Sequence, residues 1–274
     1  CGRQIFRGAQ RGKGRAVLGR LKSLARLDPS AADACERTLA ACSDGSPNTL
    51  VGHRHFWRSD IAIHRRPDWY ASVKMSSTRV IGAETCNSEN MCGLHLGDGV
   101  LYVLRRGDEY ARLFPVWNWR RLPGTTCRQD DGSLVPSGKR CRGKSDFVGG
   151  VSDGRRGLSA MVYRRGGLTA RKAWAFLDDR VVCWGVLTSD EDAPVVTTVN
   201  QCALRGPVTV AGEGTPKRIE KGREGIEGPA WVHHDGVGYV VRKGDRLAVT
   251  AETQTGTWHR VHRRYDKKAV SRDV

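Results

Sequence analysis

Two short stretches hold side chains whose types and spacing can do chemistry together. The first is Gly2–Arg3–Gln4–Ile5–Phe6–Arg7. On a helix Arg3 and Arg7 project from one face a turn apart, and two guanidiniums so placed hold a carboxylate and a neighbouring oxygen of one ligand. Arg11 and Arg15 continue the series, which is equally the pattern of a solvated basic face. The second stretch is Glu84–Thr85–Cys86–Asn87–Ser88–Glu89–Asn90, followed by Gly93 and Gly97–Asp98–Gly99. Amide side chains donate and accept at once, and a carboxylate orients an Arg or Tyr partner. A polar loop that satisfies its own backbone through Asx-type turns has the same composition. A third run, Trp117–Asn118–Trp119–Arg120–Arg121 leading to Leu122–Pro123–Gly124–Thr125–Thr126, sets indoles beside guanidiniums. Such rings either stack on flat ligand faces or anchor a loop against a core. The histidines form no HExxH pair, and no GxSxG, P-loop or helix-opening GxGxxG is present.

The elements that must position these groups are of two kinds. Up to about residue 45 the pattern is helical: Ala16, Val17, Leu18, Leu21, Leu24, Ala25 and Leu27 recur at intervals of three and four. Asp28–Pro29–Ser30 breaks that helix, Ser30 with Asp33 reads as an N-cap with an acidic first turn, and a second helix runs to about Cys42. Beyond residue 53 short β-prone runs follow one another: Ile61–His64, Tyr70–Met75, Val100–Leu104, Leu158–Tyr163, Ala173–Phe176, Val181–Leu187, Val195–Val199, Trp231–His233, Gly238–Val241 and Leu247–Ala251. Turn residues separate most of them, and Asp178–Asp179 reads as a tight hairpin. The pattern predicts a mainly β, antiparallel sandwich preceded by the tail of a helical domain. The boundary falls at 48/49, giving units 1–48 and 49–274, with no internal repeat and no low-complexity linker.

Composition narrows the class. The 274 residues are 39% hydrophobic and 27% charged, enough for a packed core. No apolar run approaches the roughly 18–20 residues of a membrane span. The 46 basic against 29 acidic side chains leave +17, which favours a polyanionic partner. Of the cations 35 are Arg and 11 Lys; guanidinium suits polyuronates and nucleic acids alike, while a GC-rich coding sequence raises Arg and Gly without any functional purpose. The nine cysteines show no structural zinc spacing. Cys86 with Cys92, or Cys127 with Cys141, are placed to bridge loops in an exported protein, and buried free thiols are the default.

Taken in order, several of these runs resemble the family-eight polysaccharide lyases, which comprise hyaluronate, chondroitin AC and xanthan lyases. The matching stretches are His64–Arg65–Arg66–Pro67–Asp68–Trp69–Tyr70–Ala71–Ser72–Val73–Lys74–Met75 with Ser77 and Arg79, then Glu84 to Asn90 with the glycines after it, and Leu122 to Thr126. They continue through Phe147–Val148–Gly149–Gly150–Val151, Lys172–Ala173–Trp174–Ala175–Phe176, Val181 to Gly185, Thr197–Thr198–Val199, Trp231–Val232–His233–His234 with Gly238–Tyr239, and Gly256–Thr257–Trp258. The resemblance implies an α/α toroid followed by a large antiparallel β super-sandwich. It also implies β-elimination at a uronic acid: one group neutralises the carboxylate, a base takes the C5 proton, and an acid protonates the departing oxygen.

Carried over residue by residue, the resemblance makes Arg3 and Glu84 catalytic and Arg3, Arg7 and Asn87 substrate-binding, all four converging on one acidic sugar ring. The family's Asn, His and Tyr lie upstream of the Arg pair, so the expectation is a fragment with both ends missing and no activity by itself. His64 and Tyr70 belong to the sandwich's own motif and do not replace them. No cofactor or metal is implied; the partner is an acidic polysaccharide, with no nucleic acid and no membrane, and the protein is a secreted, extracellular monomer. The cationic tail (Arg260, Arg263, Arg264, Lys267, Lys268 and Arg272) reads as a solvated face. A non-catalytic carbohydrate-binding sandwich is the alternative reading, and a nucleic-acid binder, resting on charge alone, ranks last.

Overall fold

A computed structural model describes residues 14–43, 50–136, 140–190, 193–212 and 214–274. It opens on a helical hairpin. Helix α1 (Gly14–Leu27) half-buries Leu18, Leu21 and Ala25 on the face that the three-and-four spacing marks out, and α2 (Ala32–Ser43) buries Cys35. The break between them is capped by Asp28 rather than Ser30. The Asp28 carboxylate accepts from the Ser30 backbone N–H at 3.0 Å and from its hydroxyl at 2.6 Å. Pro29 begins a single 3₁₀ turn that ends at Ala31. An aspartate ahead of proline is the better cap because its side chain reaches the free N–H groups while proline has none to satisfy.

The remainder is antiparallel β-structure. The strands are β1 (Gly52–Phe56), β2 (Ile61–Arg65), β3 (Tyr70–Lys74), β4 (Ile81–Ala83), β5 (Val100–Leu104), β6 (Thr126–Arg128), β7 (Cys141–Arg142), β8 (Val148–Ser152), β9 (Gly157–Arg165) and β10 (Leu168–Phe176). They continue with β11 (Val181–Ser189), β12 (Val195–Thr197), β13 (Val208–Ala211), β14 (Lys217–Ile219), β15 (Gly222–Glu227), β16 (Ala230–His234), β17 (Val237–Val241), β18 (Arg246–Ala251) and β19 (Thr253–Thr257). A short helix, α3 (Trp258–Val261), and β20 (Ala269–Asp273) complete the chain.

Two four-stranded sheets, ordered β1-β2-β3-β5 and β11-β10-β9-β8, face each other. Ala62, Ala71, Val73 and Leu101 of the first meet Met161, Leu168, Ala170, Trp174 and Phe176 of the second. Alternate residues of β10 point inward, the period-two pattern that buries one face of a strand. The turn at Asp178–Asp179 is the expected hairpin: Phe176 pairs with Val181, and the Leu177 N–H donates to Arg180 O at 2.9 Å. A third sheet, β14-β13-β16-β17, shares its own core with the β15–β18 pair through Val208, Ile219, Ile226, Val232 and Ala251.

A further core joins loops rather than sheets. Trp117 and Trp119 are fully buried and meet edge to face at 5.5 Å, packed with Leu96, Leu113, Phe114, Leu122, Trp258 and Val261. The indole pair therefore anchors loops and has no face free for a ligand. This core fixes the segment after Asn90 to α3 at the far end of the chain. No helix among the described residues is long and apolar enough to cross a membrane.

Candidate functional site

Strand β4 delivers Glu84, and the chain then reverses within four residues. Cys86 bridges to Glu89, with the Glu89 N–H donating to Cys86 O at 2.9 Å. The two central residues, Asn87 (φ 52°) and Ser88 (φ 61°), are both left-handed. That is the type I′ geometry, and asparagine is among the few residues that enter it readily. Asn87 consequently stands exposed at the tip, with Glu84 half-buried at the base three residues earlier.

The base is locked by Asn90, a fully buried residue whose Nδ2 donates to Glu84 O at 2.9 Å. The Thr85 hydroxyl donates to Glu89 O at 2.7 Å and closes the other side. Gly93 completes the fit: a Cβ there would lie 1.9 Å from Asn90 Oδ1. The polar loop thus satisfies part of its own backbone, through an amide N–H and a hydroxyl that donate to carbonyls rather than through Asx turns, and the effect is to hold Asn87 out.

The turn is also fastened from behind by residues about 170 positions away. Arg263 N–H donates to Ser88 O at 3.0 Å, and Met91 N–H to Val261 O at 2.9 Å. His262 Nε2 lies 3.6 Å from Glu89 Oε1, and the Cys92 thiol reaches Arg260 O at 3.5 Å. Burial pushes that thiol's pKa up, and the Arg260 charge opposes the shift. Arg260, Arg263 and Arg264 keep exposed side chains, as a solvated face requires. Two of them nevertheless contribute backbone groups to the site.

Downstream, a buried charged cluster braces the Gly93–Gly99 segment. His95 Nδ1 lies 2.9 Å from Asp98 Oδ2, and Arg165 donates to both Asp98 oxygens, Nε at 3.0 Å and Nη2 at 3.1 Å. His95 Nε2 lies 3.2 Å from Cys127 Sγ, whose thiol also reaches Arg128 O at 3.2 Å. Burial disfavours the charged imidazole, yet the bonds to Asp98 and Cys127 and the Asp98 charge raise the His95 pKa to about 9. For Asp98 burial works upward, and the Arg165 and His95 charges overcome it and lower its pKa. Gly97 is required here because a Cβ would lie 2.4 Å from the Gly82 Cα, where β4 passes.

Other expected residues fall out as follows. Glu84 and Asn87 sit together on one turn; Arg3 and Arg7 lie outside the described residues. His64 is fully buried, with Nε2 2.8 Å from Leu177 O and its ring 5.0 Å from Trp69. Its burial and the Arg66 charge depress its pKa to about 4. A group so enclosed is a core residue, as its place in the sandwich motif implied. Cys86, Cys92, Cys127 and Cys141 are free, so neither candidate bridge is formed. Among the described residues no group of three or more His, Cys, Asp or Glu is placed to hold a metal ion.

Comparison with known proteins agrees with this architecture. The family model described as polysaccharide lyase family 8, super-sandwich domain, matches residues 51–274. A chondroitinase-AC of Pedobacter heparinus is 37% identical over 247 residues, covering 89% of this chain and 35% of its own length. A hyaluronate lyase of Thermasporomyces composti is 34% identical, covering 77% of this chain and 28% of its own. A xanthan lyase of Bacillus sp. strain GL1 is 30% identical over 77% of this chain and 24% of its own. Among solved structures, a chondroitinase AC lyase studied as enzyme–oligosaccharide complexes superposes with a TM-score of 0.83 at 30% identity, covering 97% of this chain and 41% of the other. The chondroitin AC lyase of Streptomyces coelicolor A3 in complex with chondroitin sulphate gives 0.70 at 31% identity, covering 88% and 32%. The chain thus spans about a third or less of the length of these curated relatives.

Proposed function

The chain belongs to polysaccharide lyase family 8, and from that membership we propose that the whole protein cleaves an acidic, uronic-acid-containing polysaccharide such as hyaluronate, chondroitin or xanthan by β-elimination. The observation that carries the reading is the Glu84–Asn90 turn. It is rigid, tethered on both sides, and presents a single amide at its tip with a carboxylate at its base. An amide fixed in that way donates to a sugar carboxylate or hydroxyl without reordering. Glu84 orients a guanidinium, and on this reading its partners are Arg3 and Arg7, which grip the same uronate. Arg3 and Glu84 act catalytically; Arg7 and Asn87 bind substrate.

Elimination removes the C5 proton and expels the C4 oxygen. Stabilising the carboxylate as it takes on enolate character lowers the barrier to proton loss. In this reading the base and acid come from residues upstream of Arg3, and the chain alone performs no elimination. His64 is too deeply buried to substitute. The net charge of +17 draws a polyuronate towards the protein, less strongly as salt rises. The reading places the protein outside the cell, acting as a monomer with no cofactor.

The test joins this chain to its upstream part and follows the ultraviolet absorbance of unsaturated uronate on hyaluronate, chondroitin sulfate and xanthan. Glu84→Gln should lower kcat by about a hundredfold or more with a smaller change in KM, and Asn87→Ala should raise KM and lower turnover of dilute substrate by about tenfold or more. No new absorbance on any of the three polymers, or full turnover in both variants, overturns the reading.

A further inference from the structure

The third sheet carries a feature that the Glu84–Asn90 turn does not use. Its outer face is a row of cross-strand neighbours: Arg218 of β14 opposite Thr209 of β13, Thr209 opposite His233 of β16, and His233 opposite Gly238 of β17. One step along β16 on the same face stands Trp231, 40% exposed, opposite Val240. Two residues along a strand are about 7 Å apart and neighbouring strands about 5 Å, so the indole and the Arg218 row share a patch the size of a few sugar rings. The inward residues of β16, Ala230, Val232 and His234, are buried, which fixes Trp231 and His233 outward.

The row ends in a cleft of about 530 Å³ closed on its other side by Arg105 and Arg106, just beyond β5. Three guanidiniums line it, and they are unequally committed. Arg106 is paired with Asp235. Arg105 donates from Nη1 to Gly236 O at 3.2 Å, and neither it nor Arg218 has an ion-pair partner among the described residues. Two uncompensated cations therefore face each other across a hydroxyl and an imidazole. The Asp235–Gly236 turn builds one wall. Gly236 has φ 77°, and a Cβ on it would lie 2.0 Å from Arg105 Nη1, so glycine is what lets that guanidinium lie in the cleft.

We propose that this face is a second binding site, specific for an anionic glycan. Guanidiniums Arg105 and Arg218 take the carboxylate or sulfate groups, and Trp231 stacks on a neighbouring pyranose. Thr209 and His233 meet the hydroxyls between. A single indole beside two separated cations fits alternating charged and uncharged sugars. Single-stranded nucleic acid calls instead for successive aromatic platforms along a continuous basic track, which this face lacks. The choice of ligand class rests on the lyase reading, but the site is read by binding without turnover, so either proposal can fail alone.

The experiment titrates the full 274-residue chain with chondroitin sulfate and hyaluronate hexasaccharides by calorimetry, following the indole Nε1–H resonance of Trp231. Binding should weaken at least about tenfold in Arg105→Ala/Arg218→Ala and about fivefold in Trp231→Ala, with Trp231→Tyr restoring much of the loss. Arg171→Ala, which removes an exposed guanidinium from β10 on another sheet, should leave it unchanged. The Trp231→Tyr variant keeps the test decisive if Trp231→Ala does not fold. Absence of binding to either hexasaccharide overturns the proposal. Equal affinity for neutral dextran, tighter binding of a single-stranded oligonucleotide at the same resonances, or as large a loss of affinity in Arg171→Ala as in the Arg pair also overturns it.

Discussion

Replacing Asp98 by Asn tests whether the segment that carries the candidate site is held by a charged cluster rather than by shape alone. Asp98 is 1% exposed and is the sole carboxylate bonded to both His95 and Arg165 in that cluster. An amide offers one acceptor where two oxygens now receive three N–H groups, and turns its own N–H₂ towards a donor. Breaking a buried pair by removing one partner costs about 3–5 kcal/mol. Part of that loss has a pH signature. The folded pKa of His95 is about 9, above its unfolded value of roughly 6.5. The imidazolium's contribution is therefore fully present below pH 6.5 and lost as pH rises through 9, amounting to about 3 kcal/mol. In Asp98→Asn burial dominates, His95 stays neutral, and the contribution is absent. The measurement is urea unfolding of both proteins at pH 6 and pH 9.5, followed by tryptophan fluorescence. Lys74 and Lys172, whose pKa values burial lowers to about 8 against the opposing Asp98 charge, gain stability over the upper part of that range; without Asp98 they gain more, which adds to the narrowing of the gap. The gap between wild type and variant should narrow by about 3 kcal/mol on going to pH 9.5. A gap of the same size at both pH values refutes the assignment of charge to His95.

Gly93→Ala should drive the Asn90 side chain out of its seat, since the new Cβ falls 1.9 Å from Asn90 Oδ1. The lost bond to Glu84 O costs about 1–3 kcal/mol in denaturant unfolding, and turnover of the joined protein falls with it. His53 and His64 are buried, and burial, with the neighbouring His64 and Arg66 charges respectively, holds each pKa down at about 4. The unfolded chain takes up these protons first, so stability is present above about pH 6.5 and falls by up to about 3 kcal/mol per residue as pH drops towards 4. The ring nitrogens of His53 make no hydrogen bond among the described residues, so His53→Leu should flatten that acid limb without loss at pH 7. Trp117→Ala should cost about 3–5 kcal/mol in the same unfolding assay while leaving hexasaccharide affinity unchanged, because its ring is wholly enclosed.

Strands that alternate large apolar with small or polar residues were legible from the sequence. β2, β3, β5, β9, β11, β12 and β16 to β18 appear where the runs predicted them, within about two residues at each end, while β10 begins five residues ahead of its predicted run. Apart from β13, a four-residue strand that buries Val208 and Val210, most strands that escaped notice bury something other than a run of large hydrocarbons. In β1 the inward residue is His53, buried against Phe176, and a histidine does not read as core. β19, Thr253–Gln254–Thr255–Gly256–Thr257, has no apolar alternation at all; its pairing with β20 rests on the ladder and on the Thr255–Ser271 hydroxyl contact at 2.8 Å. Strands of three residues such as β4, β6 and β14 are too short for any period to declare itself.

The candidate site shows the same division between local and distant information. Glu84, Asn87 and Asn90 drew attention because carboxylate and amide groups crowd into seven residues, and the tight reversal at Asn87–Ser88 follows from what those residues tolerate. What holds that reversal steady comes from Val261 and Arg263 through backbone atoms, and backbone atoms leave no trace in residue type. A basic tail is read by its side chains as solvated, correctly, while its main chain forms the back wall of the turn. The glycines divide likewise: Gly93 and Gly97 stand in a motif that suggests a flexible loop, yet each is small because another residue, Asn90 or Gly82, already occupies the space. Both positions are closely packed rather than open. A site that must place one amide against a polymer gains from that arrangement, because the ordering cost is met when the chain folds and not when substrate binds.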